Sequence, residues 1–160
     1  MHRAFPDKSL YFTEQWVGAP GNLEGDIAWH VKNLLIGAPR NWAKTVLEWN
    51  LSSNPSLSPH TDRGGCHRCL GAITIGGDSV TRNPAYYVIA HASKLVDPGS
   101  YRIGSSMPEG LPNVAFLRAD GKQVLIVQND SNTTKQFEIR SGKQQIKASL
   151  PAGATGTWLW

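Results

Sequence analysis

The chain changes character at Pro98-Gly99, and that break constrains its fold more than any other feature. Before it, strand and helix signals alternate. After it come only short strands and turns. We expect two units with a boundary there, residues 1–98 and 99–160, and 160 residues suffice for one ordinary domain or two small ones.

In the first unit, residues 10–13 (LYFT) read as a short buried strand. Asp26 reads as the cap of a helix whose apolar positions Ile27, Val31, Leu34 and Ala38 recur at helical spacing until Pro39 ends it. AKTVLEWNL is rich in β-formers around Thr45, Val46 and Leu47, and predicts a second strand running into Glu48, Trp49 and Asn50. A long polar loop, SSNPSLSPHTDRGGCHRC, is broken by prolines and a glycine pair. LGAITIGG then reads as a small hairpin strand. Asn83 caps a helix with Pro84 in its first turn, and AYYVIAHASKLV carries it to Pro98. This is the rhythm of parallel β/α units.

The second unit reads as YRIGS, NVAFLRAD, GKQVLIVQND, KQFEIRSG, KQQIKASLP and GTWLW, with turns at Asp120-Gly121 and Ser141-Gly142-Lys143. Val124, Leu125, Ile126 and Val127 form a run suited to a strand buried on both faces. Phe137 and Ile139 alternate with Glu138 and Arg140, as a strand with one wet face requires. The pattern predicts an antiparallel β-sandwich.

Composition excludes some functions. The chain carries a net charge of +4, but its sixteen Lys and Arg are scattered and form no basic run, so nucleic acid is not an expected partner. No stretch reaches the roughly 18 uninterrupted apolar residues of a membrane-spanning helix. MHRAFPDKS lacks the apolar core of a signal peptide, so no export signal is expected in it. Six tryptophans are many for this length. Indole rings stack on sugar faces as readily as they pack in cores, and core packing is the expectation for at least half of them. Cys66 and Cys69 in GGCHRCLG supply two ligands where structural zinc wants four; His60 and His67 could complete a set, but a short-loop disulfide is the preferred reading.

Two β/α units cannot close a barrel and make a poor open sheet. The first unit is therefore either a marginal two-layer piece or the tail of a (β/α)8 barrel, a fold that needs eight units and about 250 residues. The second option explains the polar chemistry at the strand ends, because active sites of such barrels gather there. Glu14 ends one strand; Trp49 and Asn50 end the next.

LYFTEQWVGAPGN, WHVKNLLIGAPRNWAKTVLEWNL, NPAYYVIAHASKLVDPGS and the closing GTWLW together resemble the C-terminal part of glycoside hydrolase family 30, nearest its bacterial and fungal endo-β-1,6-glucanases and related to the glucosylceramidases. The resemblance implies the last two β/α units of the barrel followed by a β-sandwich. It implies a retaining β-glycosidase with Glu14, preceded by Thr13, as the nucleophile. Trp49 would form a wall of the sugar subsite with Asn50 beside it. Trp16 would line the same pocket, and His60 and Asp62 fall where relatives present polar sugar contacts. The expected substrate is a β-glucan or β-glucoside, with no cofactor or metal in the reaction and a secreted or periplasmic full-length parent. The family's acid/base comes from an Asn-Glu pair that this sequence lacks, so it is expected on other sequence, with this chain alone nearly inactive. Glu48 precedes Trp49 on a strand, so its side chain should point opposite to that of Trp49, and the resemblance favours Trp49 as the one facing the site. Asp62 and Glu24 are loop candidates with no supporting context for that role. The family's sandwich also borrows a strand from residues before the barrel, which predicts exposed apolar edges here.

Overall fold

The computed structural model describes residues 2–160. Strand β1 (Leu10–Phe12) pairs in parallel with β3 (Ala43–Val46). Between them lie β2 (Val17–Gly18) and a long helical excursion. That excursion begins as α1 (Leu23–His30), becomes a π-helical segment at Val31–Gly37 and closes as the short α2 (Ala38–Arg40).

The local chemistry revises two expectations and refines a third. The cap of α1 is Asn22, whose Oδ1 accepts from the Gly25 N–H at 2.7 Å, while Asp26 inside the first turn accepts from the Asn22 N–H at 2.6 Å. This reciprocal pair satisfies two otherwise orphaned donors. The helix runs one residue past Pro39, to Arg40. Pro39 sits in the first turn of α2, where a missing N–H costs least, and Trp42 breaks the run with φ 72°. The first strand is not buried: Leu10 and Phe12 are half-buried and Tyr11 is exposed.

After β3 the chain forms β4 (Ser52–Ser53), β5 (Cys69–Leu70), β6 (Ile73–Gly76) and β7 (Ser79–Arg82). β5 pairs antiparallel with β2, β4 pairs in parallel with β6, and β6–β7 is a hairpin. Helix α3 (Pro84–Ser93) follows, stopping short of Pro98. Its cap residue Asn83 turns its amide elsewhere, donating to Gly71 O at 2.8 Å and Thr74 Oγ1 at 2.9 Å.

The remaining six strands are β8 (Tyr101–Ile103), β9 (Asn113–Leu117), β10 (Gln123–Gln128), β11 (Lys135–Ser141), β12 (Gln144–Leu150) and β13 (Thr155–Leu159). They form an antiparallel four-stranded sheet, ordered β13-β10-β9-β8, and the two-stranded ribbon β11–β12. Gly121 (φ 83°) and Gly142 (φ 57°) make the positive-φ turns that the hairpins require.

Alternation along β10 divides the interior in two. Val124 and Ile126 join Val31, Leu35, Ile36, Val88 and Val114 in one cluster, so the helices pack directly on the sheet. Leu125 and Val127 turn the other way, toward Leu111, Phe137, Leu150 and Trp158 under the ribbon. Arg40 reinforces the first contact, donating to Ser105 Oγ at 2.9 Å and Asn113 O at 3.0 Å. The residues on either side of Pro98 thus share one core.

None of the six tryptophans is buried. Trp16, Trp29, Trp42 and Trp49 are exposed, and Trp158 and Trp160 are partly covered. The expectation that cores would claim half of them fails.

Candidate active site

The parallel pairing of β1 and β3 continues past both strands as a looser zipper. Leu47 N–H donates to Phe12 O at 3.0 Å, Gln15 N–H to Leu47 O at 3.2 Å, and Trp49 N–H to Gln15 O at 2.6 Å. Trp16 and Trp49 form a parallel bridge at its end. Glu14 therefore sits one residue from a backbone bonded directly to Trp49. Its side chain is exposed, as are both indoles, Trp16 at 38% and Trp49 at 46%.

Residues 47–51 alternate in direction. Leu47, Trp49 and Leu51 face outward, whereas Glu48 and Asn50 turn inward. The Glu48 side chain is 3% exposed, and its Oε1 lies 2.7 Å from His30 Nδ1 on α1. Asn50 is fixed against the segment that follows β5. Its carbonyl accepts from Ala72 N–H at 2.7 Å, and Oδ1 packs on Gly71. A Cβ at Gly71 would fall 2.7 Å from Asn50 Oδ1 and 2.6 Å from Ser52 Cα, so only glycine fits there.

The long loop closes against the same end of the molecule. Cys66 and Cys69 are joined by a disulfide, so neither is free to bind metal. Cys69 pairs with Gly18 in the β2–β5 ladder, and Arg68 O accepts from Ala19 N–H at 2.7 Å. The stretch directly after Trp16 is thereby fastened to the loop. His60 and Asp62 are both exposed, and the His60 ring meets His67 edge-on at 4.4 Å. Among the described residues, neither is hydrogen-bonded to Glu14, Trp49 or Asn50.

Glu14, Trp16, Trp49 and Asn50 thus share one strand-end cluster, with His60 and Asp62 on a loop whose far end is tied to it. The His30–Glu48 pair and the close approach of Gly71 are what sequence reasoning missed. Alternation already sets Glu48 opposite Trp49, as observed, but its histidine partner 18 positions away carries no local signal.

Residues 99–158 match the glycosyl hydrolase family 30 beta sandwich domain. Sequence comparison extends the likeness to the first unit. The chain is 31% identical over 99% of its length to an endo-1,6-beta-D-glucanase of Aspergillus fumigatus, covering 33% of that protein. It is 27% identical, again over 99% of its length, to the lysosomal acid glucosylceramidase of mouse, covering 32% of it. A solved endo-beta1,6-glucanase superposes over 99% of the chain with a TM-score of 0.90 at 29% identity, and 37% of that structure is covered. The chain spans about a third of the length of the curated relatives it matches. No helix among the described residues is long and apolar enough to cross a membrane.

Proposed function

We propose that this chain is the C-terminal part of a retaining β-glycosidase that cleaves β-glucosidic bonds, of the endo-β-1,6-glucanase type, with Glu14 as the nucleophile. The observation that carries the reading is the zipper joining Gln15 to Trp49, which supports a carboxylate and an indole acting at neighbouring strand ends. In this reading the Glu14 carboxylate attacks the anomeric carbon, and the leaving oxygen takes a proton from an acid on other sequence, placed about 5–5.5 Å away. Water then releases the sugar from the ester. Trp49 stacks on the sugar face and Trp16 borders it. His60 and Asp62 contribute polar contacts from the loop.

The same reading treats β1 and β3 as the last two strands of a (β/α)8 barrel that ends at Pro98, with the sandwich packed on the barrel's helices through the shared core. A two-stranded parallel sheet open on both edges is a poor structure alone, which supports a continuation on other sequence. The 410 Å³ cleft between the four-stranded sheet and the β11–β12 ribbon, bordered by Leu111, Leu125, Phe137, Ile139 and Trp160, suits a further strand from that sequence. A secreted or periplasmic parent fits a polysaccharide substrate and the disulfide.

A carbohydrate-binding module without catalysis is the rival. It is the weaker reading because the four exposed indoles all precede Pro98, while Trp158 packs edge-on against Phe137 inside the sandwich. The test is Glu14→Ala in the full reading frame. Hydrolysis of an aryl β-glucoside should fall by several orders of magnitude and recover with azide. Undiminished hydrolysis overturns the assignment.

A further inference from the structure

We propose that Glu48 and His30 are positioning residues for the sugar-binding wall formed by Trp49 and Asn50, an inference that rests on the glycosidase reading above. The burial of Glu48 motivates it. Its side chain is 3% exposed and directed at α1, while the adjacent Trp49 faces the other way. A glutamate is almost never buried this fully unless it is paired.

A buried carboxylate is an expensive anchor. Taking a carboxylate and an imidazole out of water consumes much of the attraction they gain, so well-packed apolar residues would hold the fold as well or better. What the pair provides is direction. His30 Nδ1 meets Glu48 Oε1 at 2.7 Å, whereas Glu48 Oε2 is buried without a hydrogen-bond partner among the described residues. One bond therefore fixes the carboxylate.

The histidine has a rigid base. It is followed by Val31, fully buried in the core shared by helices and sheet, and Lys32 one residue further is ion-paired with Asp130 beyond β10. No residue between β3 and β4 belongs to a strand, so Trp49 depends on the Gln15 hydrogen bond and on the fixed residues at either side, Glu48 and Asn50. The pair transfers the stiffness of α1 and the sheet beneath it to an otherwise loosely held indole.

The deciding experiment uses the full-length enzyme with His30 and Glu48 both replaced by leucine, H30L/E48L. Because apolar replacement of the pair removes its desolvation cost, the melting temperature should stay level or rise. The kcat/KM per titrated active site should fall about 10- to 100-fold, the scale of a misplaced contact. Glu48→Gln, which keeps a hydrogen bond to His30, should restore most of it. Unchanged kcat/KM in the double variant overturns the proposal. Should that variant not fold, His30→Asn serves, assayed well below its melting point: a tenfold or larger fall per titrated site supports the role, and wild-type kcat/KM refutes it. Glu14→Ala, run in parallel, separates the two ideas. If it leaves hydrolysis intact the glycosidase reading fails, whereas a dead Glu14→Ala beside a fully active double variant removes only this inference.

Discussion

Ile36→Ala tests whether the residues on either side of Pro98 form one cooperative body. Ile36 is 1% exposed and lies on the π-helical segment, yet its cluster includes Val114, Val124 and Ile126 of the sheet. Truncation deletes three carbons at about 0.8 kcal/mol each, roughly 2.4 kcal/mol of transfer free energy. The cavity left behind raises this to about 2–5 kcal/mol, depending on how far the neighbours relax. Against a typical total of about 5–15 kcal/mol, such a loss is easily measured. The assay is native-state hydrogen exchange read at individual amides, with denaturant melting as the global check. If the core is shared, amides of β9 and β10 should lose protection by the same free energy as those of α3. Unchanged protection in β9 and β10, with the helices alone weakened, would refute the shared core and restore two independent units.

Two further outcomes follow from the geometry. Gly71→Ala should displace Asn50 and Ser52, since the new methyl would sit within 2.7 Å of both; on the proposed glycosidase reading, Michaelis–Menten kinetics of the full-length protein should show a raised KM, and an unchanged KM would contradict it. His91 is bonded to Thr157 Oγ1 at 3.0 Å, and burial holds its imidazole below the ordinary value. The unfolded chain therefore takes up this proton first, so the stability is fully present above about pH 6.5 and declines as the pH falls below it. His91→Gln should flatten that part of the melting-temperature profile between pH 7 and 5, and a superimposable profile would exclude the effect.

The sandwich was legible because its signals are local. The four-residue apolar run in β10 has both faces to bury, and Gly121 and Gly142 stand where the turns need positive φ. The first unit was read less well because tertiary bonds override local preference there. Asp26 looks like a cap, but Asn22 holds that position and Asp26 bonds back to it. Pro39 marks the stop to within a residue, but the change to π-helical register before it carried no sequence signal. At the candidate site, Glu14, Trp49 and Asn50 could be named from the ends of strand-like runs. The partners that hold them could not. His30 is 18 positions from Glu48, and Gly71 is 21 from Asn50, so only the fold brings each pair together.

The most direct measurement is covalent trapping of the full-length enzyme with an activated 2-deoxy-2-fluoro-β-glucoside, followed by peptide mass spectrometry. A slowly hydrolysed ester on Glu14 is the predicted result. Stoichiometric label on any other carboxylate, or turnover that leaves Glu14 unmodified, would contradict it.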